Sequence, residues 1–199
     1  MSSSSSSRAD ASRNRENLIL VATRVFTSEV EPSMRAIARE ANVGIGTLYR
    51  HFPTRELLVQ AVYKDSLERL ESGAKSLIET HRPAEAMREW MNLFAGWIAT
   101  KHGMTQTVRA MIASGDIGYA ESRAKLLNAI TVFLDAGKIV GDIRSDICAE
   151  DIAASLMGIF IVAGNREQAA QANRLLDLLM DGLRTRDSKQ SAKLNDERK

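Results

Sequence analysis

The chain has 199 residues, of which 44% are hydrophobic and 26% are charged, and its formal net charge at pH 7 is +2. These values are typical of a folded globular protein and exclude a disordered or fibrous chain. No apolar run reaches the roughly 20 residues that a membrane-spanning helix needs, so we expect no membrane partner. The 12 Gly and 3 Pro are few for this length, which favours long helices over turn-rich sheets.

The N-terminus and the single cysteine indicate where the protein works. Ser2 to Ser7, followed by Arg8, contain no apolar signal core, so residues 1–12 are predicted to be a disordered leader rather than a secretion signal. Cys148 is the sole cysteine, which excludes an intramolecular disulfide, and we expect it to be a small buried or half-buried residue. A cytoplasmic protein fits both features best.

The N-terminal quarter of the chain is basic. Residues 1–55 carry 8 Arg and 5 acidic residues, and the stretch from Ala41 to Arg55 contains no Asp or Glu. Because that stretch includes Arg50, His51 and Arg55, none of its side chains repels a phosphate. The distribution favours an anionic partner such as nucleic acid, although a solvated basic surface would give the same counts.

Apolar residues at spacings of three and four predict helices along the chain and no persistent strand. The first three helices are expected over residues 13–27, 34–41 and 45–51, with Ser33 as the N-cap of the second. No Pro or Gly interrupts residues 54–72, so a fourth helix is predicted to run from the N-terminal module into the next domain and to end near residue 80. Further helices are expected near residues 84–101, 104–114, 119–136, 149–163 and 167–186.

The segment from Ser33 to Leu58 carries the most specific signal. A short helix, a tight turn and a second short helix, packed on a first helix, have the layout of a helix-turn-helix, whose second helix can enter the DNA major groove. The segment contains, in order, Ile37-Ala38, Gly46-Thr47-Leu48-Tyr49, Arg50, His51, Phe52, and then Arg55-Glu56 before Leu57. In this order, these residues closely resemble the TetR family of transcriptional regulators. Asn42 and Gly44 depart from the family pattern, and the loop of residues 28–32 lacks the family's usual glycine.

The resemblance implies a role for each matching residue. The residues expected to pack the two short helices together are Ile37, Ala38, Val43, Leu48 and Phe52. The DNA-contacting set that it implies is Ser33, Arg35, Gly44, Ile45, Gly46, Thr47, Tyr49, Arg50, His51, Thr54 and Arg55. Side-chain chemistry agrees, because a Thr methyl and hydroxyl can meet base edges, while Tyr, His and Arg side chains can bind phosphate oxygens.

Four members of the DNA-contacting set have a plainer alternative role. Tyr49 could be a half-buried aromatic residue, and Arg55 could be a solvated surface charge. Gly44 could serve the turn alone, because glycine adopts conformations that other residues avoid. Ile45 could touch a thymine methyl group or could be exposed without any partner.

The helix expected near residues 84–101 has an apolar stripe with both Trp residues on one edge, and methionines cluster nearby. Flexible thioethers beside aromatic rings suit an adaptable apolar cavity, although each residue could equally belong to a plain core. The resemblance implies a small-molecule inducer in this region, so we expect an unidentified small apolar or amphipathic ligand. The expected pocket residues are Met87, Trp90, Met91, Phe94, Trp97, Met104, Val108, Met111 and Phe133.

The last two predicted helices are more apolar than one packing face requires. From Ile152 to Ala163 only Ser155 and Gly158 are non-apolar, and the final helix is apolar over about 200° of its surface. We therefore expect a homodimer with a four-helix interface, as the resemblance also implies. The expected interface residues are Leu156, Ile159, Phe160, Leu175, Leu176, Leu179 and Leu183.

The chain lacks the patterns that common enzyme classes need, so we expect no catalytic residues, cofactor or metal. No Walker loop is present, Gly44-Ile45-Gly46 lacks the third glycine of a dinucleotide-binding fold, and the three His residues have no metal-binding helical spacing. Helix capping and a solvated acidic surface are favoured over cation binding for Asp142, Asp146, Glu150 and Asp151.

The sequence therefore predicts an all-α fold in which an N-terminal three-helix helix-turn-helix module is joined through a shared fourth helix to a helical ligand-binding and dimerisation domain. The expected divisions are a leader (1–12), a DNA-binding domain (13–60), a ligand-binding and dimerisation domain (61–186) and a polar tail (187–199). The resemblance implies a repressor that binds a palindromic operator in double-stranded DNA as a dimer and is released by an inducer. The alternative is a helical small-molecule-binding or oligomerisation protein without specific DNA binding.

Overall fold

The computed structural model of the chain describes residues 3–164 and 166–185. Within these ranges the chain is all-α, as predicted, and extended pairing is limited to one isolated bridge between Ile143 and Arg184. None of the helices in this part of the chain is long and apolar enough to cross a membrane. The helices are α1 (Ser3–Ser28), α2 (Met34–Glu40), α3 (Ile45–His51), α4 (Arg55–Thr80), α5 (Pro83–Gly103), α6 (Thr105–Ser114), α7 (Tyr119–Val140), α8 (Ala149–Ala163) and α9 (Ala169–Leu183), with a short 3-10 turn at Arg166–Gln168.

The predicted helix positions are confirmed to within a few residues except at the N-terminus. Helix α1 begins at Ser3, well before the expected start, so the prediction of a disordered leader is wrong for residues 3–12. A serine-rich segment without Gly or Pro extends a helix at small cost once the following residues have nucleated it. The predicted polar tail, residues 187–199, lies outside the described residues.

One of two compact units consists of the chain up to Leu67 together with Ala99–Tyr119. Residues 99–119 belong to the same unit as the helix-turn-helix through contacts between residues that are far apart in the sequence. One such contact is the pair of hydroxyl groups of Thr27 and Thr100, whose oxygens lie 2.8 Å apart. Helical periodicity describes only neighbouring residues, so it could not predict this grouping. The core of this unit contains the buried side chains of Leu18, Phe26, Ile37, Leu48 and Leu58.

The other compact unit consists of Glu68–Ile98 together with the chain from Ala120 onward. Its core is built around aromatic rings. The ring centroid of Trp90 lies 5.9 Å from that of Phe94 and 5.7 Å from that of Phe133, in tilted arrangements. The indole N–H of Trp90 donates to the backbone oxygen of Leu70 at 2.8 Å, so the buried polar atom of this large side chain is satisfied.

Acidic residues of the second unit have structural partners. Asp142 is 3% exposed, accepts a hydrogen bond from the backbone N–H of Ala84 at 3.4 Å, and lies 3.5 Å from Arg82. A carboxylate in this position stabilises the first turn of α5. Asp146 pairs with Arg144 at 2.6 Å. Among the described residues, no group of three or more His, Cys, Asp or Glu side chains is arranged to hold a metal ion.

Cys148 is exposed at the N-cap of α8, so the expectation of a buried or half-buried cysteine is wrong. Its thiol donates to the Asp151 carboxylate, with sulfur and oxygen 3.0 Å apart. This hydrogen bond raises the pKa of the Cys148 thiol above its ordinary value. This hydrogen bond to the exposed Asp151 side chain holds the thiol outside the core.

Candidate nucleic-acid interface

Local hydrogen bonds set the limits of α2 and the turn that follows it. The hydroxyl oxygen of Ser33 accepts from the backbone N–H of Ala36 at 3.2 Å, which confirms the predicted N-cap. Asn42 adopts a left-handed backbone conformation with φ of 53°, as expected of an Asn in such a turn. Gly44 is the N-cap of α3, and a Cβ there would meet no close neighbour, so the turn does not require glycine for space.

The residues predicted to pack the two short helices together are buried, with one exception. Ile37 and Leu48 are 0% exposed, Ala38 is 3% exposed and Phe52 is 1% exposed. Val43 is half-buried, and its backbone N–H donates to the oxygen of Ala38 at 3.0 Å. These contacts fix α3 against α2 and leave the opposite face of α3 toward solvent.

The exposed face of α3 carries most of the predicted DNA-contacting residues. Ile45 is 37% exposed and Tyr49 is 45% exposed, and because they are four residues apart they share one face of the helix. Gly46 and Arg50 are exposed, whereas Thr47 and His51 are half-buried. The exposed members of the set outside α3 are Ser33, Arg35, Gly44 and Thr54.

Two residues at the ends of this surface also have structural roles. The hydroxyl of Thr54 accepts from the backbone N–H of Leu57 at 3.3 Å, so Thr54 is the N-cap of α4. Arg15 of α1 lies with its guanidinium carbon 4.9 Å from the centroid of the Phe52 ring, directly after α3. Arg15 is exposed and adds a positive charge beside α3 that the motif did not point to.

Arg55 makes more internal contacts than either sequence-based alternative predicted. Its Nη2 atom lies 2.6 Å from the Glu31 carboxylate, Nη1 donates to the backbone oxygen of Pro32, and Nε donates to the Thr107 hydroxyl at 3.3 Å. The guanidinium also lies 5.4 Å from the centroid of the Phe26 ring. With 22% of its side chain exposed, Arg55 is neither a fully solvated charge nor free of partners. A DNA phosphate that bound Arg55 would have to compete with the Glu31 carboxylate for the same guanidinium group. A phosphate contact by Arg55 therefore stays a prediction.

Glu31 is a residue that the sequence analysis missed. It adopts a φ of 52°, which is uncommon for a residue with a side chain. The loop that contains it is the loop that lacks the family's usual glycine, and this departure was the available signal of an unusual conformation. Its backbone N–H donates to the oxygen of Gly103 at 2.9 Å, and its carboxylate accepts from the backbone N–H of Gln106 at 2.9 Å.

The predicted ligand-pocket residues are divided between the two compact units. In the second unit Met87, Trp90, Met91, Phe94 and Phe133 are fully buried, and Trp97 is 7% exposed. In the first unit the buried members are Met104, Val108 and Met111. The burial agrees with an apolar core as well as with a ligand site, so the pocket stays a prediction.

The predicted dimer surface on α8 and α9 needs one correction. Leu156, Leu176 and Leu183 are 0%, 1% and 3% exposed within the single chain, so they are core residues with almost no surface left for a partner. Helical periodicity shows that a helix is apolar all round but not which side the same chain covers. An open apolar groove of about 400 Å³ is lined by Ile147, Ile159, Leu175, Leu178, Leu179, Gly182 and Leu183. Phe160 is half-buried, and its ring centroid lies 5.7 Å from that of Phe94.

Known proteins resemble both parts of the chain. Residues 31–62 match the family described as bacterial regulatory proteins, tetR family, and residues 82–185 match the SbtR-like transcriptional regulator C-terminal domain. The TetR transcriptional regulator SCO0520 from Streptomyces coelicolor has 43% identity and a TM-score of 0.79, over 86% of this chain and 99% of that one. The TetR transcription regulatory protein from Mycobacterium vanbaalenii has 31% identity and a TM-score of 0.68, over 89% of this chain and 99% of that one.

A curated relative resembles a shorter part of the chain. The HTH-type transcriptional repressor KstR from Rhodococcus jostii is 39% identical over 72 residues. The matched segment covers 34% of this chain and 34% of that repressor. The similarity to KstR therefore concerns about a third of either protein.

Proposed function

Because this chain belongs to the TetR family of bacterial regulatory proteins, we propose that it is a ligand-responsive DNA-binding regulator of transcription that works in the cytoplasm. Regulators of this family are not enzymes, and the proposal includes no catalytic step. The observation that carries the proposal is the division of α3 into two faces. Leu48 is fully buried, whereas Ile45, Tyr49 and Arg50 are exposed on a segment without acidic residues.

In the proposed complex, α3 enters the major groove and positions its exposed face against base edges. Thr47 supplies a hydroxyl and a methyl group for base contacts, and Tyr49, Arg50 and His51 supply donors for phosphate oxygens. A dimer would place two copies of α3 about 34–36 Å apart, in successive turns of the same DNA face. The proposed operator is therefore a palindrome of two half-sites.

The proposed dimer forms through the apolar groove of α8 and α9. Leu178 is 68% exposed at this groove, and Ile161 and Val162 of α8 are 79% and 62% exposed. Apolar side chains with this much exposure favour a second apolar surface as their partner. The similarity to the repressor KstR supports a repressor rather than an activator.

The proposed inducer is a small apolar or amphipathic molecule bound among helices of the second unit. Met87 and Met91 of α5 are fully buried beside aromatic rings, and flexible thioether side chains can rearrange around a ligand. Helix α4 is unbroken from Arg55 to Thr80 and so provides a continuous backbone from the helix-turn-helix onward. An inducer that shifts this helix would weaken operator affinity by a coupling free energy of about 1–3 kcal/mol.

Selection of genomic DNA tests the proposed function. Purified protein is incubated with sheared genomic DNA beside two variants, Tyr49→Ala on α3 and Leu20→Ala on α1, and the retained DNA is sequenced. Leu20 is the matched control because its exposure of 42% is close to the 45% of Tyr49. We expect wild type and Leu20→Ala to enrich one palindrome, and Tyr49→Ala to retain less of it because the loss of a phosphate contact weakens binding. Uniform retention of all sequences by wild type would contradict the proposal and favour a ligand-binding protein without specific DNA binding.

A further inference from the structure

Glu31 connects three segments of the first compact unit. Its backbone N–H binds the Gly103 oxygen at the end of α5, and its carboxylate binds the Gln106 N–H in the first turn of α6. The other carboxylate oxygen lies 2.6 Å from Arg55 at the start of α4. The first N–H groups of a helix lack partners within the helix and favour a negative charge, so α6 is well suited to hold this carboxylate.

Arg55 extends the same set of contacts to the start of α2. Its Nη1 atom donates to the oxygen of Pro32, the residue before the Ser33 cap, and its Nε atom donates to Thr107 of α6. Both side chains are 22% exposed, so water replaces these contacts less readily than at an open surface. The position where the chain enters α2 is therefore tied to α6 by two charged side chains.

The backbone around these contacts leaves little room for movement. A Cβ atom at Gly103 would lie 1.8 Å from the backbone oxygen of Phe26, so this position requires glycine. Two hydrogen bonds hold Glu31 in a conformation with φ of 52°. Its backbone N–H donates to Gly103, and its carboxylate accepts from the N–H of Gln106. An uncommon backbone conformation persists where the surrounding structure fixes it, and such residues cluster at functional sites.

We propose that Glu31 is a positioning residue for operator recognition, which holds the start of α2, and with it α3, at a fixed orientation to the first turn of α6 through Arg55. This inference rests on the proposed DNA-binding function. Glu31 does not contact DNA in this account. Its negative charge alone opposes the approach of phosphates, so simple electrostatics and the positioning role predict opposite effects on operator affinity when the charge is removed.

The substitution Glu31→Gln separates the two effects, because it keeps the shape of the side chain and removes its charge. The matched control is Glu29→Gln, which makes the same charge change two residues earlier at an exposed position. Fluorescence anisotropy measures binding of each protein to the palindrome enriched by the wild type and to a random-sequence duplex of the same length. The decisive quantity is the ratio of the two affinities, which a loss of folded protein alone does not change.

We expect Glu31→Gln to lower the ratio of operator to random-duplex affinity at least about fivefold, the lower end of typical coupling between sites. Binding of the random duplex should stay equal or become tighter, and Glu29→Gln should keep the wild-type ratio. A wild-type ratio in Glu31→Gln would overturn the inference. If wild type itself shows no preference for any sequence, the proposed DNA-binding function fails instead.

A second variant keeps the inference testable if Glu31→Gln does not fold, as judged by circular dichroism. Thr107→Val removes the hydroxyl that receives Arg55 while keeping the size of the side chain and leaving Glu31 in place. We expect it to lower the same affinity ratio by a smaller factor, because one of the two links between α6 and the start of α2 remains. An unchanged ratio in Thr107→Val would contradict the positioning role.

Discussion

The first compact unit fixes the start of α2 with polar contacts, whereas the second unit fixes α5 with packed aromatic rings. Arg55 and Glu31 keep 22% of their side chains exposed, and Trp90 and Phe94 are fully buried. A close-packed aromatic core depends on the shapes of its side chains, whereas the contacts of Glu31 and Arg55 depend on charge and on hydrogen bonds to several segments of the chain. The contrast places contacts that a single charge change can remove beside the DNA-binding helices, and contacts that need a change of side-chain volume in the second unit.

The exposed apolar residues of the two units differ in the same way. On α3, Ile45 and Tyr49 stand among polar and basic residues, which suits a hydrated polyanion. On α8 and α9, Ile161 and Leu178 are much more exposed, at 79% and 68%, and Leu178 lines a groove whose other side chains are apolar. A continuous apolar surface suits another protein surface rather than DNA.

Removal of an aromatic ring from the second unit should have the largest effect on stability. Trp90→Ala deletes a fully buried side chain that packs on Phe94 and Phe133, so we expect it to lower the free energy of unfolding by about 3–5 kcal/mol. Chemical denaturation measures this change. Ile139→Ala is the control, because Ile139 is 86% exposed and its truncation should change stability by less than about 0.5 kcal/mol. Equal effects of the two variants would contradict a rigid aromatic core.

A charge in the apolar groove should disrupt the proposed dimer. Leu178→Glu places a carboxylate where the partner surface is expected, so we predict a loss of at least about 2 kcal/mol in dimer free energy, as for an interface hot spot. Analytical ultracentrifugation over a range of concentrations gives the dimer dissociation constant. Ile139→Glu introduces the same charge on α7 and should leave that constant unchanged. A dimer that survives Leu178→Glu would place the interface elsewhere.

Removal of the ion pair between Arg55 and Glu31 should have an intermediate effect on the free energy of unfolding. Arg55→Met leaves a partly buried carboxylate without its ion-pair partner, which typically lowers the free energy of unfolding by about 1–3 kcal/mol. The double variant Arg55→Met with Glu31→Gln should lower the free energy of unfolding by less than the sum of the two single variants. We expect this coupling energy to be at least about 0.5 kcal/mol. Arg24→Met, at an exposed position of α1, serves as the control in the same denaturation series. Additive effects would show that the contact contributes no coupling energy.

The smallest predicted effect concerns the reactivity of Cys148. Its hydrogen bond to Asp151 raises the pKa of the thiol, so less reactive thiolate is present at pH 7.5 than in an ordinary cysteine. We expect Asp151→Asn to lower this pKa and to increase the rate of alkylation by iodoacetamide about two- to tenfold. Glu150→Gln removes a neighbouring charge but not the hydrogen bond and should change the rate less. A slower alkylation of Asp151→Asn than of wild type would contradict the prediction that the hydrogen bond to Asp151 raises the pKa of the thiol.

Local patterns made most of the fold predictable, and distant contacts account for what was missed. The Ser33 cap and the tight turn between α2 and α3 depend on neighbours within a few residues, so local sequence patterns were enough to predict them. The burial of Leu48 was implied by the family resemblance. The partners of Arg55 lie at Glu31, before α2, and at Thr107 of α6, and no local pattern joins these segments. Burial of Leu156 and Leu176 within one chain depends in the same way on which helices cover α8 and α9.

Operator binding across a range of salt concentrations tests whether α3 recognises DNA. Because Lys and Arg side chains that neutralise phosphates release counterions from DNA, we expect the logarithm of the operator affinity to fall linearly with the logarithm of salt concentration, by about 0.9 per neutralised phosphate. We also expect two chains bound per palindrome and weaker operator binding by Tyr49→Ala. An affinity that does not depend on salt, or a Tyr49→Ala variant that binds the operator as tightly as wild type does, would contradict recognition of DNA by α3.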